Sequence, residues 1–137
     1  MAGIIHLLDT NVISEFVKKT PEPQVLKWLQ TVDLLAVSAV TVEEVRFGLA
    51  WQPNTGKLAL VSALIDQLHA VYAITVPIAA RAGVMRGQFQ AQGVTRSSPD
   101  MLIAATAQEH QLVLVTRNVR DFIGCGIQLI NPFEESA

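Results

Sequence analysis

Short apolar runs alternate along the chain with longer stretches whose apolar residues recur at helical spacing. The short runs predict buried strands, because a strand covered on both faces of a parallel sheet is almost continuously apolar. The longer stretches predict helices with one apolar face. The predicted strands are residues 4–8, 34–38, 71–76, 112–116 and 127–130. The predicted helices are residues 12–19, 24–30, 42–51, 57–69, 77–92 and 98–110.

This alternation predicts an α/β fold. Because parallel strands need crossover connections, we expect a three-layer α/β/α domain with a four- to five-stranded parallel sheet between the helices. Right-handed crossovers would bring the carboxyl ends of the strands to one edge of that sheet. The chain has 137 residues, 50% of them apolar, which fits a single domain over residues 1–137.

Charge and cysteine content exclude several classes of protein. The net charge of −2 gives no sign of a strongly basic nucleic-acid-binding protein. The second half of the chain nevertheless contains five arginines, which form either a basic face or ordinary solvated helix surface: Arg81, Arg86, Arg96, Arg117 and Arg120. The single cysteine, Cys125, lies in a Gly-Cys-Gly turn and is expected to pack near the surface rather than act as a nucleophile. With no secretory signal and no apolar run long enough for a membrane span, we expect a cytoplasmic protein with no membrane partner.

Acidic side chains stand where predicted strands end or predicted helices begin. Asp9 follows the first strand, Glu44 and Asp100 lie in first turns of helices, and Asp121 follows Asn118 after the fourth strand. Open parallel sheets have their sites at this edge, so we expect these groups to meet. Each place also resembles an ordinary helix start, with expected caps at Asp9 or Thr10, at Thr41 in a capping box with Glu44, at Ser98 and at Asn118.

Carboxylates gathered at one edge favour a hard metal ion. They would repel one another and have raised pKa values unless a cation lay among them. Ligands that are all oxygen favour magnesium or manganese, and such an ion in a carboxylate site most often serves phosphate chemistry. We therefore expect Asp9, Glu44 and Asp100 to be the metal ligands. A nucleophilic Asp9 of the haloacid-dehalogenase type is a weak alternative, because the residue two positions later is Asn11 rather than a second aspartate.

These residues, taken in order, resemble PIN domains, and most closely the VapC and FitB-like toxins of bacterial type II toxin–antitoxin pairs. The segments that carry the resemblance are residues 6–12 (HLLDTNV), 38–44 (SAVTVEE) with Gly48, Pro99-Asp100 with residues 102–107 (LIAATA), and residues 115–118 (VTRN) with Asp121-Phe122. The resemblance runs nearly the whole length of the chain, from about residue 4 to residue 132.

The resemblance implies a magnesium-dependent endoribonuclease of PIN-like fold, with manganese as an alternative cation. Asp9, Glu44 and Asp100 match the acids of the family. Many relatives have a fourth acid where this chain has Asn118, so we expect Asn118 to orient a water or a metal ligand. Asp121 is then expected to be an outer or RNA-facing acid. The residues that match polar positions supporting the acids are Thr10, Asn11, Ser38 and Thr116.

The resemblance also implies partners. These are an RNA substrate, usually structured RNA such as tRNA, and a VapB-like antitoxin that blocks the acidic pocket, with operator DNA bound only through the antitoxin. A homodimer is implied as well, and the apolar residues available for its interface are Leu60, Leu64, Leu68, Ile78 and Val84. Two alternatives stay open at this point: a weakly catalytic or non-catalytic FitB-like subunit of an antitoxin–DNA complex, and a processing nuclease without an antitoxin.

Overall fold

One parallel sheet forms the centre of the fold. In the computed structural model, which describes residues 3–134, its strands are β1 (Ile5–Leu8), β2 (Leu34–Ser38), β3 (Ala70–Tyr72), β4 (Val113–Val115) and β5 (Leu129–Ile130). The five strands pair in the order β3-β2-β1-β4-β5. The central strand is β1, in which Leu7 lies opposite Ala36 of β2 and Leu114 of β4.

Helices connect the strands and cover both faces of the sheet. They are α1 (Thr10–Phe16), α2 (Pro23–Leu29), α3 (Ala39–Trp51), α4 (Thr55–Gln67), α5 (Val76–Ala91) and α6 (Ser98–His110), with a 3-10 turn at Val119–Phe122. No helix in the described part of the chain is both long and apolar enough to span a bilayer.

Two apolar clusters lie on opposite faces of the sheet, because neighbouring residues of a strand point to opposite sides. Leu7 and Leu114 pack in the cluster that includes Met101 of α6. Leu8 packs in the other cluster, with Val12 of α1. The predicted α/β/α class with a parallel sheet is therefore confirmed. Residues 1, 2 and 135–137 of the predicted domain lie outside the described residues.

Several predicted boundaries are wrong, each because a nearby hydroxyl caps a helix. The strand predicted over residues 71–76 ends at Tyr72, since Thr75 Oγ1 accepts the Ile78 N–H at 3.3 Å and caps α5. The capping box of Thr41 and Glu44 does not form, because α3 begins earlier, at Ala39. Its N-cap is Ser38. The cap of α6 is likewise Ser97 and not Ser98.

The residues predicted for a dimer interface divide between core and surface. Ile78 is 0% exposed, so its availability to a second copy was predicted wrongly. Leu64 and Leu68 pack against the cluster around Leu8. Only Leu60 and Val84 are well exposed.

Ser97→Ala should lower the free energy of unfolding by about 1 kcal/mol, because it removes the cap that starts α6. The hydroxyl of Ser97 accepts the N–H of Asp100 at 3.2 Å. Ser98→Ala is the matched control and should change the free energy by less than about 0.5 kcal/mol. Urea unfolding of both variants measures the difference, and equal losses would show that Ser97 does not act as the cap.

Candidate active site

The carboxyl-terminal edge of the sheet collects the predicted acids. Asp9 directly follows β1, Asp100 lies in the first turn of α6, and Asp121 lies in the 3-10 turn after β4. Glu44 lies on α3, which follows β2. Because β1 pairs with both β2 and β4, the segments that follow these three strands leave the sheet side by side. Helix α6 precedes β4 and therefore begins at the same edge.

Asp9 is held through both oxygens of its carboxylate. Oδ1 accepts the Thr10 N–H at 2.8 Å. Oδ2 accepts the Thr116 hydroxyl at 2.8 Å and the Asn11 amide at 3.1 Å. The residue is only 5% exposed. Asp9 therefore caps α1, which is one of the helix caps expected from the sequence. It is also a buried acid whose carboxylate is oriented by hydrogen bonds.

Thr116 and Asn11 join the segments that follow β1 and β4. Thr116 is 0% exposed, and its Oγ1 accepts the Asn118 N–H at 3.0 Å while it donates to Asp9. Asn11 Oδ1 accepts the Arg117 N–H at 3.1 Å. The backbone leaving β4 is thus fixed by the same two side chains that orient Asp9.

Glu44 is held by a different hydroxyl. Thr10 Oγ1 donates to Glu44 Oε1 at 2.6 Å and lies 3.2 Å from Thr41 Oγ1. The neighbouring Glu43 is exposed, as expected for a side chain about 100° further round the helix. Our sequence analysis missed the contact of Thr41. Its spacing of three residues from Glu44, which puts both on one helix face, was the available signal.

Three of the four predicted supporting residues contact an acid directly: Thr10, Asn11 and Thr116. Ser38 does not. Its hydroxyl accepts the Val40 N–H at 3.1 Å, so it supports the site only by starting the helix that carries Glu44.

The acids act on one another electrostatically. The pKa of Asp100 is raised to about 6, first by burial and then by the charges of Asp9, Asp121 and Glu44, against an opposing hydrogen bond with Ser97. The pKa of Asp9 is also raised, chiefly by burial, which outweighs its hydrogen bonds. The charges of these carboxylates therefore act on one another.

Asn118 and Asp121 are both exposed. They differ in which of their groups acts on the residues of the site. The Asn118 contact with Thr116 comes from its backbone N–H, and its side chain does not cap the 3-10 turn. The charge of Asp121, by contrast, raises the pKa of both Asp9 and Asp100. The charge that acts on the two aspartates therefore comes from Asp121, while the choice between Asn118 and Asp121 as the working residue stays a prediction.

Comparison with known proteins assigns the family. A family model of the PIN domain matches residues 6–123. The chain belongs to the PIN domain family. The match includes all four acids of the edge and confirms the resemblance seen in the sequence.

Curated relatives and solved structures agree with this PIN assignment. The VapC ribonuclease Y4jK of Sinorhizobium fredii is 35% identical, over 93% of this chain and 97% of its own. Toxin FitB of Neisseria gonorrhoeae is 33% identical, over 94% of this chain and 99% of its own. The structure of FitAB bound to an IR36 DNA fragment superposes with a TM-score of 0.82 at 30% identity, covering 96% of this chain and 98% of that chain.

The acidic edge of this PIN domain offers fewer metal ligands than predicted. Within residues 3–134, no group of three or more His, Cys, Asp or Glu side chains is placed so that it could hold a metal ion. The predicted set of Asp9, Glu44 and Asp100 is therefore not assembled, and Glu44 is instead engaged by Thr10. The donor chemistry still fits, because Mg²⁺ commonly binds through one or two carboxylates and keeps several waters. Asp9 and Asp100 are the pair that would hold it.

The five arginines of this PIN domain do not form one basic face. Arg81 pairs with Glu109 at 3.1 Å. Arg117 and Arg120 line a cavity together with Asp121, beside the acids.

Cys125 is buried at 3% exposure rather than near the surface, and burial raises the pKa of its thiol, which excludes it as a nucleophile.

Asp100→Asn should raise the free energy of unfolding of the metal-free protein at pH 7.5. The folded-state pKa near 6 lies above the ordinary 3.8, so the ionised carboxylate costs stability above pH 6. This cost disappears as the pH falls from about 6 to about 4, because the folded state binds the proton first. Urea unfolding at pH 4.5 and 7.5 should therefore show the larger gain at pH 7.5.

Asp66→Asn is the control for this measurement, because Asp66 is an exposed acid on α4. It should change the free energy of unfolding little at either pH. An Asp100→Asn variant that is less stable than the wild type at pH 7.5 would contradict the account of the site.

Proposed function

We propose that this PIN domain is a magnesium-dependent endoribonuclease, with manganese as an alternative cation, that acts as the toxin of a type II toxin–antitoxin pair. The observation that carries the proposal is the buried Asp9 carboxylate, oriented by Thr10, Asn11 and Thr116 and electrostatically linked to Asp100. The names of the two relatives, a ribonuclease and a toxin, support it. A cytoplasmic location is part of the proposal, because an RNA substrate and a protein antitoxin fit that compartment.

The side chains divide the work of phosphodiester hydrolysis. Asp9 and Asp100 would hold the cation, which when bound activates water and neutralises charge on the phosphodiester. The three donors to Asp9 oppose the effect of burial on its pKa and orient its carboxylate. Glu44 Oε1 accepts the Thr10 hydroxyl, which leaves Oε2 to accept a proton from the attacking water. Asp121 adds charge from the 3-10 turn.

RNA is the substrate class that fits the surroundings of the acids. Arg117 lines the cavity that also contains Asp121. Its guanidinium lies 4.5 Å from the centre of the Phe133 ring, and its backbone N–H is bound to Asn11. Arg120 lines the same cavity. Arginines placed beside an acidic centre can hold flanking phosphates of a nucleic-acid strand. The choice of structured RNA such as tRNA rests on the family resemblance.

A VapB-like antitoxin is the proposed inhibitor. A groove of α1, α3 and α4 leads to Glu44 and has Val45, Leu49 and Val61 in its walls. Beyond it, Phe47 and Trp51 of α3 are 62% and 73% exposed. An apolar partner segment lying along this groove would bring its own charged residues to the acids. The structure of FitAB bound to a DNA fragment supports a partner and a link to DNA. The proposal that this DNA is the operator, bound only through the antitoxin, rests on the family resemblance.

A homodimer is part of the proposal, with a narrower interface than the sequence predicted. Leu60 and Val84, at 52% and 59% exposure, are the members of the predicted set that a second copy can still cover. A weakly catalytic subunit of an antitoxin–DNA complex is the second candidate, favoured by Asn118 in place of an acid. A short upstream reading frame with a DNA-binding amino terminus would separate either toxin reading from a processing nuclease without an antitoxin.

Asp9→Asn should reduce magnesium-dependent cleavage of total RNA by at least about 100-fold, the size typical of losing one essential catalytic group. The reason is that the amide cannot supply the charge that holds the cation. Purified protein is assayed with Mg²⁺ and with EDTA, and calorimetry measures Mg²⁺ binding in parallel. Asp33→Asn, an exposed acid in the segment before β2, is the control and should cleave like the wild type. Cleavage by the wild type that is as fast in EDTA as in Mg²⁺ would refute the metal dependence.

Asp121→Asn should lower the cleavage rate about tenfold at limiting Mg²⁺ and less at saturating Mg²⁺, because the lost charge weakens cation binding. Asn118→Ala should have the milder effect, because the backbone N–H of Asn118 makes its contact with Thr116. Cleavage rates of both variants over a Mg²⁺ series decide between them. Collapse of activity in Asn118→Ala with normal activity in Asp121→Asn would restore the expectation from the sequence.

A further inference from the structure

Arg96 links two segments that carry acids of the site. It directly precedes Ser97, the N-cap of the helix on which Asp100 lies. Its guanidinium reaches the 3-10 turn, where Nη1 donates to the carbonyl of Arg120 at 3.1 Å and Nη2 to the carbonyl of Ile123 at 2.9 Å. These two carbonyls flank Asp121 and Phe122 in the chain, so the guanidinium spans the turn that carries the fourth acid.

The turn is held from two further directions. The guanidinium of Arg96 lies 4.5 Å from the centre of the Phe89 ring of α5, so a cation–π contact fixes its plane. Phe122 is 1% exposed and belongs to the core cluster that includes Met101. The turn that contains Asp121 is therefore anchored on one side by Phe122 in the core and on the other by the guanidinium of Arg96.

Stability alone does not explain this arginine. Within residues 3–134, Arg96 Nε is buried and has no hydrogen-bond partner. The salt bridges of the same described residues are Lys18–Glu15 and Arg81–Glu109, so Arg96 has no carboxylate within ion-pair distance. An unpaired buried donor costs stability. What the arrangement provides is the fixed geometry of the turn.

We infer that Arg96 is a positioning residue, which holds Asp121 toward Asp9 and Asp100. The inference rests on the proposed function, because it assigns Asp121 a place in the nuclease site. It depends on the planar fork of arginine: two parallel donors reach the two carbonyls while the face stacks on Phe89. A lysine retains the charge but has neither the fork nor the face.

The test is a double-mutant cycle of Arg96→Lys with Asp121→Asn. The first readout is the affinity of the protein for Mn²⁺ alone, measured by calorimetry without RNA, and the second is the rate of RNA cleavage. Arg96→Lys should weaken Mn²⁺ binding about tenfold, the size seen when a group that orients a metal ligand is removed. In the Asp121→Asn background, Arg96→Lys should cause no further loss. Arg81→Lys is the matched control and should leave both readouts unchanged.

Hydrogen exchange of the backbone amides checks the physical basis. In Arg96→Lys, faster exchange should be confined to the 3-10 turn, while the melting temperature stays close to that of the wild type. If Arg96→Lys does not fold, Phe89→Leu replaces it, because this change removes the ring face and retains apolar bulk. The same dependence on Asp121 is expected for that variant.

The outcomes distinguish this inference from the proposed function. Wild-type Mn²⁺ affinity in Arg96→Lys, or losses that multiply in full in the double variant, would overturn the role of Arg96. So would a wild-type protein that binds no Mn²⁺. A wild-type protein that shows the predicted dependence in Mn²⁺ binding but cleaves no RNA would support Arg96 and refute the nuclease.

Discussion

The acidic edge depends on one hydrogen bond, from the Thr116 hydroxyl to Asp9 Oδ2. It joins residues 107 positions apart in the sequence, at the ends of the adjacent strands β1 and β4. Both residues are buried, so replacing the hydroxyl by a methyl group would leave a buried carboxylate short of a donor. The Thr116 hydroxyl oxygen also accepts the Asn118 N–H, and this bond sets the course of the chain toward the turn that carries Asp121. Thr116 therefore orients Asp9 and also fixes the start of the segment that carries Asp121.

The edge is electrostatically unfavourable when no cation is bound, and this argues against a purely structural role. An aspartate in the first turn of a helix normally has a lowered pKa, because the helix dipole and the cap both favour the charged form. Asp100 has these features, including its bond with Ser97, and its pKa is nevertheless raised. Burial and the neighbouring acids outweigh the cap. Perturbed carboxylates held in this way are typical of functional sites, where stability is lost so that a ligand or cation can be bound.

Much of the fold, and the place of the acids at one edge of the sheet, could be predicted because both follow from local pattern. The apolar runs of β1 and β4 specify buried strands, and parallel topology then requires Asp9, Asp100 and the turn after β4 to lie at one edge. The finer points depend on competition between neighbouring groups. Ser97 and Ser98 are both acceptable caps, and tertiary packing selects one of them. Glu44 was predicted to be a metal ligand like the aspartates, but only the packing of α1 against α3 reveals that the Thr10 hydroxyl engages it.

The position of Asp121 shows why the sequence could not rank the last two candidates. The sequence favours Asn118 because it holds the matched position directly after the fourth strand, while Asp121 lies about three residues later, on a segment expected to be one turn of helix. The segment is instead a 3-10 turn, closed by the Asp121 N–H bound to the Asn118 carbonyl at 3.0 Å. With three residues per turn, positions i and i+3 eclipse one another. Asp121 therefore returns to the side of the chain from which Asn118 starts. A carboxylate can thus lie on that side of the chain although the residue directly after the strand carries none.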